Sequence, residues 1–475
     1  MKMSPSSDPP KLNTLTVDAS APAEISVLDG SANTVARAVG HLSSSLPSDI
    51  YKVRVRVGPT LEERIVALDR DQEIRIDAPT DFSSPIPLTN TRRSQDKHQE
   101  TTRWASENLS QVLGIGASIL IIARAWSRHG DSAPINPATD LMFIDESSSM
   151  KLDIGKLAKF TADGDPIASW SAAVTPGSYR LQLAGGITRA IFVTNNLQTQ
   201  AFLLQRTTSS YGRSDSATLD IENAAISISP QQSFDPGSSQ TWLAEVARYA
   251  LTQKRKILSE GVLDQVLRAK FDDPMLGLLG AHLLLRDEPD NVVDFETVTK
   301  NLFNLLGSDH PDVRALCLAR RTPLSEVPRR ITSPPMLRAS WDLAVAHSLK
   351  ESDIFPEDSE ANHIATLVLP GSPWLIWKMP TDGEGSSMRL EETLQDFVAA
   401  RSRADRARSN ATNPVRSRLN SAYRTLAHGL EVVRGTAATV REAMPELSLD
   451  EKGELTKVLG IPASKLDSML RKLFP

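Results

Sequence analysis

The chain has 475 residues, 40% of them hydrophobic and 23% charged, with a formal net charge of −5. That length exceeds a single hydrophobic core, and the composition excludes a collagen-like or wholly disordered chain. Mild acidity excludes whole-molecule attraction to nucleic acid or anionic membrane, and a lone cysteine, Cys317, excludes an internal disulfide framework.

Residues 1–11 contain no apolar stretch of signal-peptide type and read as a disordered tail. With one cysteine, a reducing cytoplasm is the expected location, and no membrane partner is expected. Residues 12–88 read as a first β-sandwich module, with "LTVDA", "AEISVLD", "YKVRVRVG" and "ERIVAL" as strands. Tyr51, Val53, Val55 and Val57 alternate at period two, the mark of a strand with one buried face. Residues 89–114 read as a connecting helix with Trp104, Leu109, Val112 and Leu113 along one face.

Residues 115–208 read as a second module. Its apolar run "VLGIGASILIIARAW" is too short to span a bilayer and is interrupted by Arg124, so it predicts a buried strand. "LMFID", "SYRLQLA", "RAIFVTN" and "TQAFLLQRT" supply the others. A constant offset of 128 places Tyr51 on Tyr179, Gly58 on Gly186, Thr60 on Thr188 and Gln72 on Gln200. In each copy a Pro-containing turn precedes the tyrosine, alternating apolar residues follow it, and glycine closes the strand. This pattern resembles PEGA-type and carboxypeptidase-regulatory-like β-sandwich repeats, although the first copy has "PSD" where a turn glycine is expected. The resemblance implies binding or spacing modules and not catalysts. Tyr51 and Tyr179 are expected to pack over their turns.

Residues 209–239 read as a loop connection, and residues 240–377 as an α-helical domain in which apolar residues recur at three and four. Asp273-Pro274, and Asp309 with Pro311, signpost helix starts. "LLGSDHPDVRALCLA" resembles the second-helix entry of a HEAT-type repeat. Together with "DDPMLGLLGAHLLLRDE" it resembles a class of uncharacterised bacterial proteins associated with caspase-like peptidases and defence modules. That resemblance implies a protein partner such as a caspase-like peptidase or a regulatory factor. His282 lies among leucines and reads as a core histidine; His310 with Asp309 and Asp312 reads as a helix N-terminal cluster. Cys317, in "ALCLA", has an apolar setting that raises a thiol pKa. No phosphate loop, nucleophile elbow, zinc motif or calcium loop occurs, so no enzyme, cofactor or metal is expected.

Residues 378–389 read as an exposed linker, with Lys378, Met379, Asp382 and Gly383 as a candidate cleavage segment. Residues 390–475 read as a helical C-terminal module. Nine arginines fall between Arg401 and Arg441, and Arg416 and Arg418 among them are candidate contacts. "KGELTKVLGIPASKLDSMLRKLF" resembles a helix-turn-helix with Leu455, Leu459, Ile461, Leu466 and Met469 at its apolar positions. Its second helix would present Ser464, Lys465, Ser468 and Arg471 outward, with Asp467 opposing phosphate contacts.

The fold class expected is multidomain α+β: two antiparallel β-sandwich modules, an α-helical domain and a helical C-terminal module. The function expected is that of a non-enzymatic adaptor acting through protein contacts. Two alternatives stay open: a peptidase substrate cut in the 378–389 linker, and a transcription regulator with a DNA-binding C-terminus.

Overall fold

The computed structural model describes residues 12–19, 23–57, 60–76, 84–87, 96–110, 116–125, 136–161, 166–208, 216–230, 234–252, 260–379, 394 and 447–473. The fold is mixed α+β and divides into two units. One takes its residues from 1–139, 153–176 and 193–307, the other from 140–152, 177–192 and 308–475.

In the first unit, β1 (Leu12–Ala19), β2 (Glu24–Leu28), β3 (Thr34–Val39), β4 (His41–Pro47), β5 (Asp49–Val57), β6 (Thr60–Leu68) and β7 (Gln72–Ile76) form two sheets. Their strand orders are β4-β1-β7 and β3-β2-β5-β6. The period-two residues turn inward as one core: Leu15 and Val17, Ile25 and Val27, Tyr51, Val53 and Val55, Val66 and Leu68. Each buried aliphatic side chain contributes about 1.5–3 kcal/mol. The expectation of purely antiparallel sheets needs correction, because β1 pairs antiparallel with β4 but parallel with β7. Tyr51 is buried, and its hydroxyl donates to the Pro47 carbonyl at 2.9 Å, tying the strand to the turn before it. Tyr51→Phe is expected to lower stability by about 1 kcal/mol, read from urea unfolding at unchanged m-value.

The same unit holds α1 (Asp96–Ser110) and a five-stranded sheet. Its strands are β8 (Ala117–Arg124), β11 (Lys159–Thr161), β12 (Ile167–Val174), β15 (Leu197–Thr208) and β16 (Ser216–Pro230), in the order β11-β12-β8-β15-β16. Every residue of β8 is buried, which accounts for its unbroken apolar run. Arg124 at its end donates to the carbonyls of Pro85 (2.9 Å) and Ser84 (2.7 Å), clamping that short segment. The helix α2 (Ile154–Leu157) is capped by the Asp153 side chain. Within residues 209–239, expected to be loop, β16 is instead a full strand. Its pairing with β15 shifts register between Phe202 and Leu204. The shift puts Leu219 and Ile221 out of phase with Ile226 and Ile228 and hides the alternation.

Among the described residues, four further α-helices belong to this unit: α3 (Ser239–Thr252), α4 (Glu260–Arg268), α5 (Pro274–Asp287) and α6 (Val292–Leu306). Asp273 caps α5 by accepting from Met275 N, with Pro274 at the first turn, as the Asp-Pro pair predicts. The same carboxylate accepts from Ile228 N (3.0 Å) and Ser227 Oγ (2.8 Å) of β16, so the cap also bolts helix to sheet. At Gly277, an added methyl would lie 2.6 Å from Lys270 Cβ and 2.8 Å from a Leu302 methyl of α6, so any larger residue forces these neighbours to shift.

The second unit has a sheet of β9 (Leu141–Asp145), β10 (Lys151–Asp153), β13 (Gly177–Leu183), β14 (Ile187–Val193) and β17 (Ile376–Lys378), ordered β10-β9-β13-β14-β17. Its helices among the described residues are α7 (Pro311–Leu318), α8 (Arg338–Ser348), α9 (Glu360–Ile364), α10 (Leu449–Leu459) and α11 (Ala463–Leu473). The helical stretch expected as one domain over 240–377 is therefore shared between units, parting at Gly307, and it ends in a strand. Asp312 is fully buried and accepts from the backbone N–H of Met336 and Leu337, both at 2.9 Å.

The strand orders of the two sequence repeats coincide. β4-β1-β7 corresponds to β12-β8-β15, and β3-β2-β5-β6 to β10-β9-β13-β14. Pair directions agree as well: β8 is antiparallel to β12 and parallel to β15, as β1 is to β4 and β7. The second set carries three additions, β11 beyond β12, β16 beyond β15 and β17 beyond β14. No helix among the described residues is long and apolar enough to cross a membrane.

Candidate functional site

Alternation in "YKVRVRV" sends Val53 and Val55 into the first core and therefore turns Lys52, Arg54 and Arg56 outward. Pairing register brings Ser26 beside both Arg37 and Arg54, and Arg56 beside Leu61. Together Glu24, Ser26, Leu28, Thr34, Arg37, Arg54, Arg56 and Leu61 line a hollow of about 150 Å³ on the outer face of the β3-β2-β5-β6 sheet.

Within this face Arg37 pairs with Glu24 at 2.6 Å. Glu63 receives Arg54 Nε at 2.6 Å and Lys52 Nζ at 3.1 Å, and these donors hold its carboxyl below the usual carboxylate range. Four cations thus face two carboxylates, leaving a local positive excess on a chain that is acidic overall. Large apolar side chains flank them: Leu61 is 45% exposed and Ile65 is 72% exposed. β6 is the outer strand of its sheet, with no neighbour on its far side among the described residues. Sequence reasoning registered only the valines of this strand. The signal for the face was the alternating Lys-x-Arg-x-Arg that the same period implies.

A second polar group lies in the other unit. Glu146 follows β9, Arg180 lies on β13, and Glu360 opens α9; Arg180 Nη1 donates to Glu360 Oε1 at 3.0 Å. Burial pushes the Glu146 carboxyl up to about 8, Glu360 and Asp145 add to the rise, and Arg180 opposes it. Glu146 is therefore a neutral acid at pH 7.

Comparison with known proteins yields little. No protein-family model matches the chain. No curated protein matches it. Among solved structures, a proposed cell adhesion protein from Bacteroides fragilis is 11% identical, covering 44% of this chain and 84% of its own, with a TM-score of 0.15. A leucine-rich repeat protein from Bacteroides thetaiotaomicron is 8% identical over 50% of this chain and 28% of its own, at a TM-score of 0.12. Scores this low carry no shared fold.

The sequence-predicted residues do not converge on one site. Ser468 and Arg471 are exposed on α11, and Lys465 beside them is half-buried. The leading end of α11, which a groove-reading helix would insert into DNA, is held on α8: Ala463 N donates to Ser348 Oγ at 3.0 Å. Asp467 is paired with Lys452 at 2.7 Å. Lys378 and Met379 are not free linker. Lys378 pairs with Ile187 as the last residue of β17, and Met379 N donates to the Gly186 carbonyl at 2.9 Å. Asp382, Gly383, Arg416 and Arg418 lie outside the described residues.

His282 and His310 are buried, and burial lowers each ring to about 3, so both are neutral. His310, rather than Asp309, occupies the cap position of α7, and its ring packs on Phe192 at 4.7 Å. Asp309 is exposed and pairs with Arg314. The Cys317 thiol is buried and pushed up to about 11, which suppresses thiolate chemistry.

Proposed function

We propose that the chain is a non-enzymatic adaptor built on a duplicated β-sandwich module, and that the first copy supplies its contact surface. The observation that supports this reading is the outer face of the β3-β2-β5-β6 sheet, where a basic hollow adjoins exposed Leu61 and Ile65. Exposed apolar residues beside unbalanced charge suit a protein partner, because apolar burial supplies affinity and charge supplies orientation and association rate. Nucleic acid suits it less, since Glu24 and Glu63 sit among the cations.

The test is affinity capture from the native host with the full chain and with an Arg37→Glu/Arg54→Glu variant, followed by titration of the purified captured protein. A defined partner whose affinity falls at least roughly 10-fold in the variant is the expected result. A full chain that captures no partner, or one whose binding is unchanged by the reversal, contradicts the proposal.

A further inference from the structure

The two copies differ in what covers equivalent sheet faces. In the second unit, residues between 360 and 378 meet the sheet at three places, from the middle strand to the edge. The first is Glu360, which takes the Arg180 guanidinium at 3.0 Å. The second is Trp374, whose ring lies 4.1 Å from the Arg189 guanidinium. The third is β17, antiparallel to the outer side of β14, with Ile187 opposite Lys378 and Arg189 opposite Ile376. At the repeat offset Arg180 falls on Lys52, Arg189 on Leu61, and β14 on β6. In the first copy that outer side of β6 is unpaired among the described residues, and Leu61 is 45% exposed. The charge is also greater there: Lys52 is joined by Arg54 and Arg56, where the second copy has Gln182 and Ala184.

We propose that the β6 edge and the adjoining basic face receive an acidic, extended segment of a partner protein, bound as an added antiparallel strand whose flanking residues fold over the outer face and bring a carboxylate to Arg54 and Arg56 of β5. The inference rests on the adaptor reading and specifies its partner. β6 offers nine residues of edge, long enough for main-chain pairing to supply affinity. Exposed Leu61 and Ile65 give an added strand apolar surface to cover beside the charged Glu62, Glu63 and Arg64 of β6. This face selects for carboxylates because Arg37, Lys52, Arg54 and Arg56 outnumber its two acids, Glu24 and Glu63.

The experiment selects a random linear-peptide display library on the full chain and measures the consensus peptide by fluorescence anisotropy. Expected are sequences alternating acidic with β-branched or aromatic residues. Affinity should fall with salt and drop at least about 30-fold in Arg54→Glu/Arg56→Glu, while Arg54→Lys/Arg56→Lys retains most of it. Amide exchange in residues 60–68 should slow by about tenfold on peptide binding, which a purely electrostatic contact would not produce. No enrichment, non-acidic consensus peptides, equal binding by the reversed variant, or unchanged exchange in β6 each overturns the proposal. So does self-association through this face, seen by light scattering as a dimer lost on reversal, since a second copy would then be the occupant. If the reversed variant still captures the host partner at full affinity, strand addition fails while a wider adaptor role survives. If the wild-type chain captures none, both fail.

Discussion

Trp341→Ala is expected to cost the second unit about 3–5 kcal/mol and to release its C-terminal helix pair. Trp341 is completely buried on α8, its ring lies 4.9 Å from that of Phe355, and its Nε1 donates to the Gly460 carbonyl at 2.7 Å. Gly460 is the turn between α10 and α11, in the left-handed conformation at φ 65°. The substitution therefore opens a cavity and strands a buried carbonyl at the joint. Trp341→Phe keeps one six-membered ring but removes the donor together with the rest of the indole, so it should cost less, about 2–3 kcal/mol. Amide exchange over residues 447–473 checks both: strongly accelerated in the alanine variant, modestly in the phenylalanine variant. Equal effects would mean that packing contributes little and the hydrogen bond alone holds the pair.

Glu146 gives the second large effect, and its sign follows from burial. Its carboxyl rises from 4.5 to about 8, chiefly by desolvation and then by the proximity of Glu360. A raised folded-state pKa contributes stability that is complete below pH 4.5 and is lost as pH rises through about 8. Glu146→Gln holds the neutral shape at every pH. Relative to wild type it should be nearly neutral at pH 4.5 and stabilising at pH 9, by about 2–4 kcal/mol once screening of a partly exposed group is allowed for. Unfolding midpoints of both proteins across that range measure the difference, in which all other titrations cancel. A pH-independent difference would show that Glu146 ionises normally in the folded chain.

Much of the fold was legible because burial leaves a period. β5, β13 and β14 appear as alternating or apolar runs, and the register from Tyr51 to Tyr179 announced a repeat that the strand orders repeat in turn. The α5 start at Asp273-Pro274 was equally plain, since the cap chemistry is local. What was not legible depends on contacts distant in sequence. β17 has only three residues and exists because β14 pairs with it, so "PWLIWKM" gave no hint of its partner. Asp312 resembled a helix-start acid, but its ligands are amides at 336 and 337. β16 was obscured by a register shift. Of the site, the charges were present in "KVRVRV", but their importance rests on β6 being an open edge, a property of sheet order and not of any one strand.

The first sheet face and the C-terminal helix pair are rival surfaces, and an exchange footprint separates them. Hydrogen–deuterium exchange of the full chain, with and without its purified captured partner, should show protection concentrated in residues 49–68, covering β5 and β6. Protection confined to residues 447–473, around Lys465, Ser468 and Arg471, would contradict the account and return the contact surface to the C-terminal helices.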